Sequence, residues 1–364
     1  MILKNIIDEL EKFAPPSYQE SYDNCGLLTG HKELEVTGAI LCLDCTEAVV
    51  EEAVNKKCNL IIAHHPIIFS GLKKLNGKNY VERTVIKAIQ NNIAIYACHT
   101  NLDNVKNGVN KKIADKLGLI NTQILAPKKS LLKKLVTFVP PSHLNKVQES
   151  LFDAGAGNIG NYDSCSFVLE GTGSFRGNKN SNPFVGEIGK LSLEKESRLE
   201  LIFEAINESQ IISTLKQNHP YEEIAFDIYQ LENAYQNIGS GMVGELEQAI
   251  SETEFFEKLK SVFMLKLIKH TALLNKPIKK VALCGGSGSF LLKNAINSKS
   301  DVYVSSDFKY HEFFDAENQI LIADIGHYES EQFTPEIFYE IISKKFPTFA
   351  SYLTETKTNP VNYF

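Results

Sequence analysis

The stretch Asn59-Leu60-Ile61-Ile62-Ala63-His64-His65-Pro66 decides how this chain is read. A short apolar run ends in two adjacent histidines and is closed by a proline. Continuous apolar runs of this length suit strands buried on both faces. The pattern recurs along the chain. Residues 39–43 run into Asp44, 93–98 into His99, and 280–284 into Gly285. Residues 301–305 run into Ser306-Asp307, and 319–323 into Asp324. Between these runs, 46–57 and 81–91 carry apolar residues near helical spacing. Alternating strand and helix predicts an α/β sheet with parallel stretches. In such sheets, sites form beyond the carboxyl ends of strands, where the polar residues above fall.

The middle of the chain breaks this rhythm. Residues 126–130, Ala-Pro-Lys-Lys-Ser, read as one boundary. Residues 233–244, which hold Asn237-Ile238-Gly239-Ser240-Gly241, read as the other. Between them the pattern predicts a strand at 135–139, a helix at 142–154 and strands at 164–169 and 198–204. A helix at 209–217 and a strand at 223–229 complete a β-α-β-β-α-β order, the ferredoxin-like pattern. The Gly- and Asn-rich 171–189 reads as a long loop between the middle strands. The expected organisation is a host domain, 1–127 plus 237–364, interrupted by an α+β insertion at 128–236.

Composition narrows the function classes. The 364 residues carry a net charge of −6, which argues against extended nucleic-acid binding. With 43% hydrophobic and 23% charged residues the chain reads as globular. No apolar run approaches the roughly 18 residues of a membrane span. Residues 1–10 read as an amphipathic helix stopped by Pro15-Pro16, with acids where a secretory signal would stay apolar. Seven cysteines, an odd number mostly inside apolar runs, point to a reducing cytoplasmic setting. Cys42-Leu43-Asp44-Cys45 matches C-x-x-C, but no second pair completes a zinc site.

His64-His65 is the strongest chemical signal. Adjacent side chains on an extended chain point opposite ways, so two neighbouring metals are better served than one. Asp103 and His99 follow another strand. His327 and Glu331 stand four apart, a spacing that shares one helix face. One metal could take His64, Asp103 and Glu331; the other could take His65, His327 and Glu331, with Glu331 bridging. Three protein ligands each leave room for water or substrate. Mixed nitrogen and oxygen ligation fits Zn, Mn, Fe or Co without choosing among them. Two such divalent ions per subunit are expected. Gly285-Gly286-Ser287-Gly288 lies between a strand and an expected helix at 290–296, where backbone N–H groups can cradle a phosphate. The competing reading is a plain tight turn. His99, Asp307 and His311 are the candidate proton carriers, Asp307 and His311 as a pair four apart.

Together, Asp23-Asn24-Cys25-Gly26-Leu27, Ala63-His64-His65-Pro66, His99-Thr100-Asn101-Leu102-Asp103 and Gly326-His327-Tyr328-Glu329-Ser330-Glu331 resemble the NIF-three-like proteins, often labelled GTP cyclohydrolase 1 type 2 homologues. The insertion resembles the PII/CutA-like domain of longer bacterial members, through 154–162, 171–175 and His219-Pro220-Tyr221-Glu222-Glu223. The resemblance implies a host domain with a central mixed sheet and His64, His65, Asp103, His327 and Glu331 as ligands of two metals. It also implies a toroidal homohexamer in the cytoplasm. Tyr22 stands where many members carry Trp, and Ser305-Ser306-Asp307 where Thr-Gly-Asp is usual. The expected function is metal-dependent hydrolysis of a nucleotide or related small molecule by metal-activated water. The alternative is a non-catalytic metal-handling or ligand-sensing protein.

Overall fold

The apolar runs form strands, and nearly every residue in them is buried. The computed structural model describes all 364 residues. They divide into two units, Met1–Pro127 with Asn237–Phe364, and Lys128–Gln236. No helix is long and apolar enough to cross a membrane.

The first unit holds two mixed sheets, not the single central sheet expected. One runs in the order Gly26–Thr29, Ala94–Ala97, Leu60–His65, Ala39–Asp44, Ser351–Leu353, with only Gly26–Thr29 antiparallel to its neighbour. The other runs Lys269–His270, Leu321–Asp324, Val302–Ser306, Ile278–Ser287, Tyr235–Ile250, Ile120–Lys128, with Ile278–Ser287, Val302–Ser306 and Leu321–Asp324 parallel. Local crossovers explain the split. Helices Glu47–Asn55 and Tyr80–Gln90 return the chain to the neighbouring parallel strand of one sheet. Leu292–Asn297 and the 3₁₀ stretch Tyr310–Ala316 do the same in the other.

Each sheet packs its own helices. Val49, Val50, Ala53, Val85 and Ala88 cluster with Ile40, Ile61 and Ile95. Leu291, Leu292, Ala295 and Ala316 cluster with Ala282, Tyr303 and Ile322. Each fully buried Ile or Leu contributes roughly 1.5–3 kcal/mol. Thr46 and Asn79 cap the two crossover helices of the first sheet, accepting from the Val49 and Glu82 N–H groups.

The second unit holds an antiparallel sheet in the order Ser166–Phe175, Ser192–Glu204, Leu132–Val139, Phe226–Leu231. Helices Leu144–Asp153 and Glu208–Asn218 pack Val147, Leu151, Ile211 and Leu215 onto Leu135, Leu199, Leu201 and Phe203.

One glycine-rich reading is corrected, and another gains detail. Residues 171–175 belong to a strand rather than to the loop, because they pair in register with residues 192–196. A Cβ on Gly173 would lie 2.0 Å from the Glu196 carboxylate, which folds over this glycine in the strand. Residues 237–241 lie inside the strand Tyr235–Ile250, and the division between the units falls at 236/237, within the expected boundary at 233–244. A Cβ on Gly239 would lie 2.2 Å from the Ala126 carbonyl oxygen, so that glycine marks close backbone approach.

Candidate metal centre

The carboxyl ends of both sheets of the first unit converge on one cluster. Strand Leu60–His65 ends in the histidine pair, and its register sets Asp44 opposite His65. His99 follows strand Ala94–Ala97, and Asp103 lies one turn further on in helix Thr100–Asn104. From the other sheet, Asp307 follows Val302–Ser306, and Gly326 turns the chain into the short helix His327–Glu331.

Every imidazole in the cluster is held through Nδ1. His64 Nδ1 lies 2.9 Å from the Cys98 carbonyl, and His65 Nδ1 lies 2.7 Å from Asp44 Oδ1. His99 Nδ1 lies 2.7 Å from Asp23 Oδ1, and His327 Nδ1 lies 2.6 Å from Asp307 Oδ2. An acceptor on Nδ1 places the proton there and leaves Nε2 as a free donor atom for a cation.

Glu331 stands between the histidines. Its Oε2 is 3.1 Å from His65 Nε2 and 3.2 Å from His327 Nε2. Its Oε1 is 3.8 Å from His64 Nε2, which in turn is 3.6 Å from Asp103 Oδ1. These last two distances are too long for hydrogen bonds, and His64 Nε2 and Asp103 Oδ1 are buried with no partner. Buried acceptors that face one another without a hydrogen need a cation between them. The ligand atoms of His64, Asp103 and Glu331 fall within 4.8 Å of one another, as do those of His65, His327 and Glu331. His64, His65 and His99 form a third such group. The residues therefore fit metal binding.

The electrostatics draw positive charge into the cluster. Burial holds His64 down at about 4, so its imidazole is neutral and ready to ligate. Burial also works against charge on His65, but its bonds to Asp44 and Glu331 outweigh it and push it up to about 10. His327 is raised to about 9 in the same way, by Glu331 and Asp307 against burial. Burial and the nearby Glu331 drive Asp103 well above the usual carboxylate range. A group of acids and bases perturbed in opposite directions marks a functional site.

A cavity of about 690 Å³ opens on His65, His99, His327 and Asp307. His64, Asp103 and Glu331 do not line it. Its lining also includes Phe69, Lys269, Tyr328 and Glu329, with Asn359 and Tyr363 from the segment after the last strand.

The remaining sequence candidates are reassigned. Asp307 has a left-handed backbone (φ 58°), which breaks any helix to His311. Its carboxylate turns to His327 and Ser287. His311 is exposed, with its ring against Tyr310 and Phe314, and does not line the cavity. The glycine loop is engaged within the fold. The Gly285 N–H donates to Asn110 Oδ1 and the Gly286 N–H to Ser330 Oγ. The loop leads into a three-residue 3₁₀ turn and a six-residue helix, not the helix start a phosphate cradle uses. Gly286 serves the carboxylate instead, since a Cβ there would sit 2.4 Å from Glu331 Oε1.

Asp44 and Thr358 escape sequence reasoning. Asp44 is visible as an acid ending an apolar run, but its pairing with His65 depends on strand register. Thr358 donates to Asp44 Oδ2 (2.9 Å) across 314 residues, and no local signal announces it.

Comparison with known proteins follows the same outline. The family model Duf34/NIF3 (NGG1p interacting factor 3) matches residues 1–360. The GTP cyclohydrolase 1 type 2 homolog of Bacillus subtilis is 36% identical over 99% of this chain and 98% of its own. That of Halalkalibacterium halodurans is 37% identical over 89% and 88%. The crystal structure of a Bacillus cereus protein related to NIF3 superposes with TM-score 0.87 at 35% identity, covering 100% of this chain and 99% of its own. With a family match over nearly its whole length, relatives above one-third identity and a shared fold, this chain belongs to the Duf34/NIF3 family.

Proposed function

We propose that this protein is a metal-dependent hydrolase that binds two divalent ions per subunit and acts on a nucleotide or related small molecule. The observation that carries the reading is the shared carboxylate. Glu331 directs one oxygen toward His64 and the other toward His65 and His327, so two three-ligand groups meet at one side chain. Bound there, Zn, Mn, Fe or Co ions would supply Lewis acidity and an acidified water.

The chain's own residues do the rest. Asp44 and Asp307 hold Nδ1 of His65 and His327, so each ring presents Nε2 in a fixed direction. His64 and Glu331 are buried, whereas His65 and His327 line the cavity. Ligand therefore approaches from the His65–His327 side. His99, fixed by Asp23, lines the same cavity and holds or moves a proton at Nε2.

We place the second unit in the ferredoxin-like class, supported by its β-α-β-β-α-β order and antiparallel sheet. The toroidal homohexamer implied by the family resemblance is part of the same proposal. The test is elemental analysis of purified protein, followed by reconstitution with each metal and incubation with a nucleotide panel. Metal-dependent loss of one panel member supports the hydrolase. Two bound ions that transfer reversibly, with no turnover of any member, would replace it with the metal-handling reading.

A further inference from the structure

The cavity that His65, His99 and His327 line also contains a carboxylate outside the candidate metal groups. Glu329 lies on the same short helix as His327 and Glu331. Its Oε1 accepts from Asn359 Nδ2 (3.0 Å) and from the Tyr363 hydroxyl (3.1 Å). Both donors belong to the segment after strand Ser351–Leu353. That segment is anchored on both sides of the cavity, since Thr358 donates to Asp44 Oδ2. Glu329 Oε2 receives no hydrogen bond from the protein. Gly326 makes room for it, because a Cβ there would lie 2.3 Å from this oxygen. One oxygen is thus clamped, and the other lies beside Gly326, which lines the cavity with Glu329.

A carboxylate is acceptor-only, so whatever meets Oε2 must bring a hydrogen. The surrounding wall is apolar and aromatic, with Leu43, Phe69, Tyr328, Val361 and Tyr363. Such walls bury a flat ring, and a few placed polar groups fix its orientation. We infer that Glu329 is the ligand-recognition residue of this cavity and that its Oε2 accepts the N–H of a planar, lactam-type heterocycle. The inference rests on the proposed nucleotide-type ligand and assigns the side chain that reads its ring.

The clamp makes a sharp test possible. In Glu329→Gln, Asn359 and Tyr363 hold the amide oxygen in the Oε1 position, which turns the amide NH₂ into the cavity. An acceptor becomes a donor without change of shape. Guanosine and 1-methylguanosine are the probes, because methylation replaces the lactam hydrogen with a methyl group and leaves the rest of the molecule unchanged. Their binding to the metal-loaded full chain is measured by titration calorimetry, with metal content determined on each preparation. The wild-type protein should bind guanosine more tightly than 1-methylguanosine. Glu329→Gln should weaken guanosine at least about tenfold, the range of a hydrogen bond to a charged group, with metal content and 1-methylguanosine affinity unchanged. Asn359→Ala, which only loosens the clamp, should move guanosine affinity the same way by a smaller factor. Guanosine binding that is indifferent to both variants, or equal weakening of both probes, overturns the role of Glu329 and leaves the proposed function standing. A wild-type protein that binds neither probe overturns the role of Glu329, while the nucleotide panel alone decides the proposed function.

Discussion

Glu331 is shared by the two proposed metal groups, and its loss should be felt by both. Glu331→Gln is expected to remove more metal than His64→Ala or His65→Ala, because each histidine serves one side of the carboxylate. Metal-to-protein ratios by mass spectrometry check this, and equal losses in all three variants would defeat the shared assignment. Asp44 acts one step further out. Asp44→Asn keeps the shape but weakens the acceptor that fixes His65 Nδ1, and it leaves Thr358 a poorer partner. Metal affinity in a chelator competition should fall about 10–100-fold, the usual effect of losing such a partner. Thr358→Val should give a smaller drop and Thr358→Ser should restore it.

Two elements carry the site to its geometry. The first is the end of strand Ile278–Ser287, where Gly286 has φ 61° and no room for a side chain beside Glu331. Gly286→Ala should therefore lower metal content as well as thermal stability. A phosphate cradle would have forecast weaker nucleotide binding with both metals retained. The second is the segment after Leu353, anchored at its start by Glu52. The Glu52 carboxylate accepts from the Thr354 and Thr356 hydroxyls and from the Glu355 and Thr356 N–H groups. Burial opposes its charge, but these bonds and Lys56 outweigh burial and lower it to about 2. A depressed carboxyl adds stability above its unfolded value near 4.5, and that stability is lost as pH falls toward 2. Glu52→Gln should cost about 2 kcal/mol at pH 7, and the gap to wild type should close between pH 4.5 and 2 in denaturant melts. A gap that stays constant across that window would refute the clamp.

For the whole molecule, the separation into two units predicts what can be removed. All five proposed metal ligands lie in the first unit. The strands that lead into and out of the second unit, Ile120–Lys128 and Tyr235–Ile250, are neighbours in one sheet. Replacing residues 130–234 with a short Gly/Ser linker should leave a folded, metal-binding protein. A soluble, folded but metal-free product would show that the insertion helps to build the site. Sedimentation of the intact and shortened chains would test the proposed hexamer and report which unit it needs.

Much of this was legible in residue order alone, because the signals are local. Apolar runs of four to six residues fix buried strands, and the helices between them fix parallel neighbours. Those strands carry their polar ends to one edge, so His64, His65, Asp103, His327 and Glu331 could be named from the chain. What the sequence could not supply is direction and register. Only the paired strands set Asp44 against His65 Nδ1. Only the left-handed turn at Asp307 aims its carboxylate at His327 rather than His311. A glycine announces that something comes close, but not what; at Gly286 the neighbour is a carboxylate of the protein itself. Thr358, Asn359 and Tyr363 reach the cavity through contacts with residues 30 to several hundred positions away. Hydrogen bonds act over about 3 Å of space whatever the distance along the chain, so partners of that kind are decided by the tertiary structure alone.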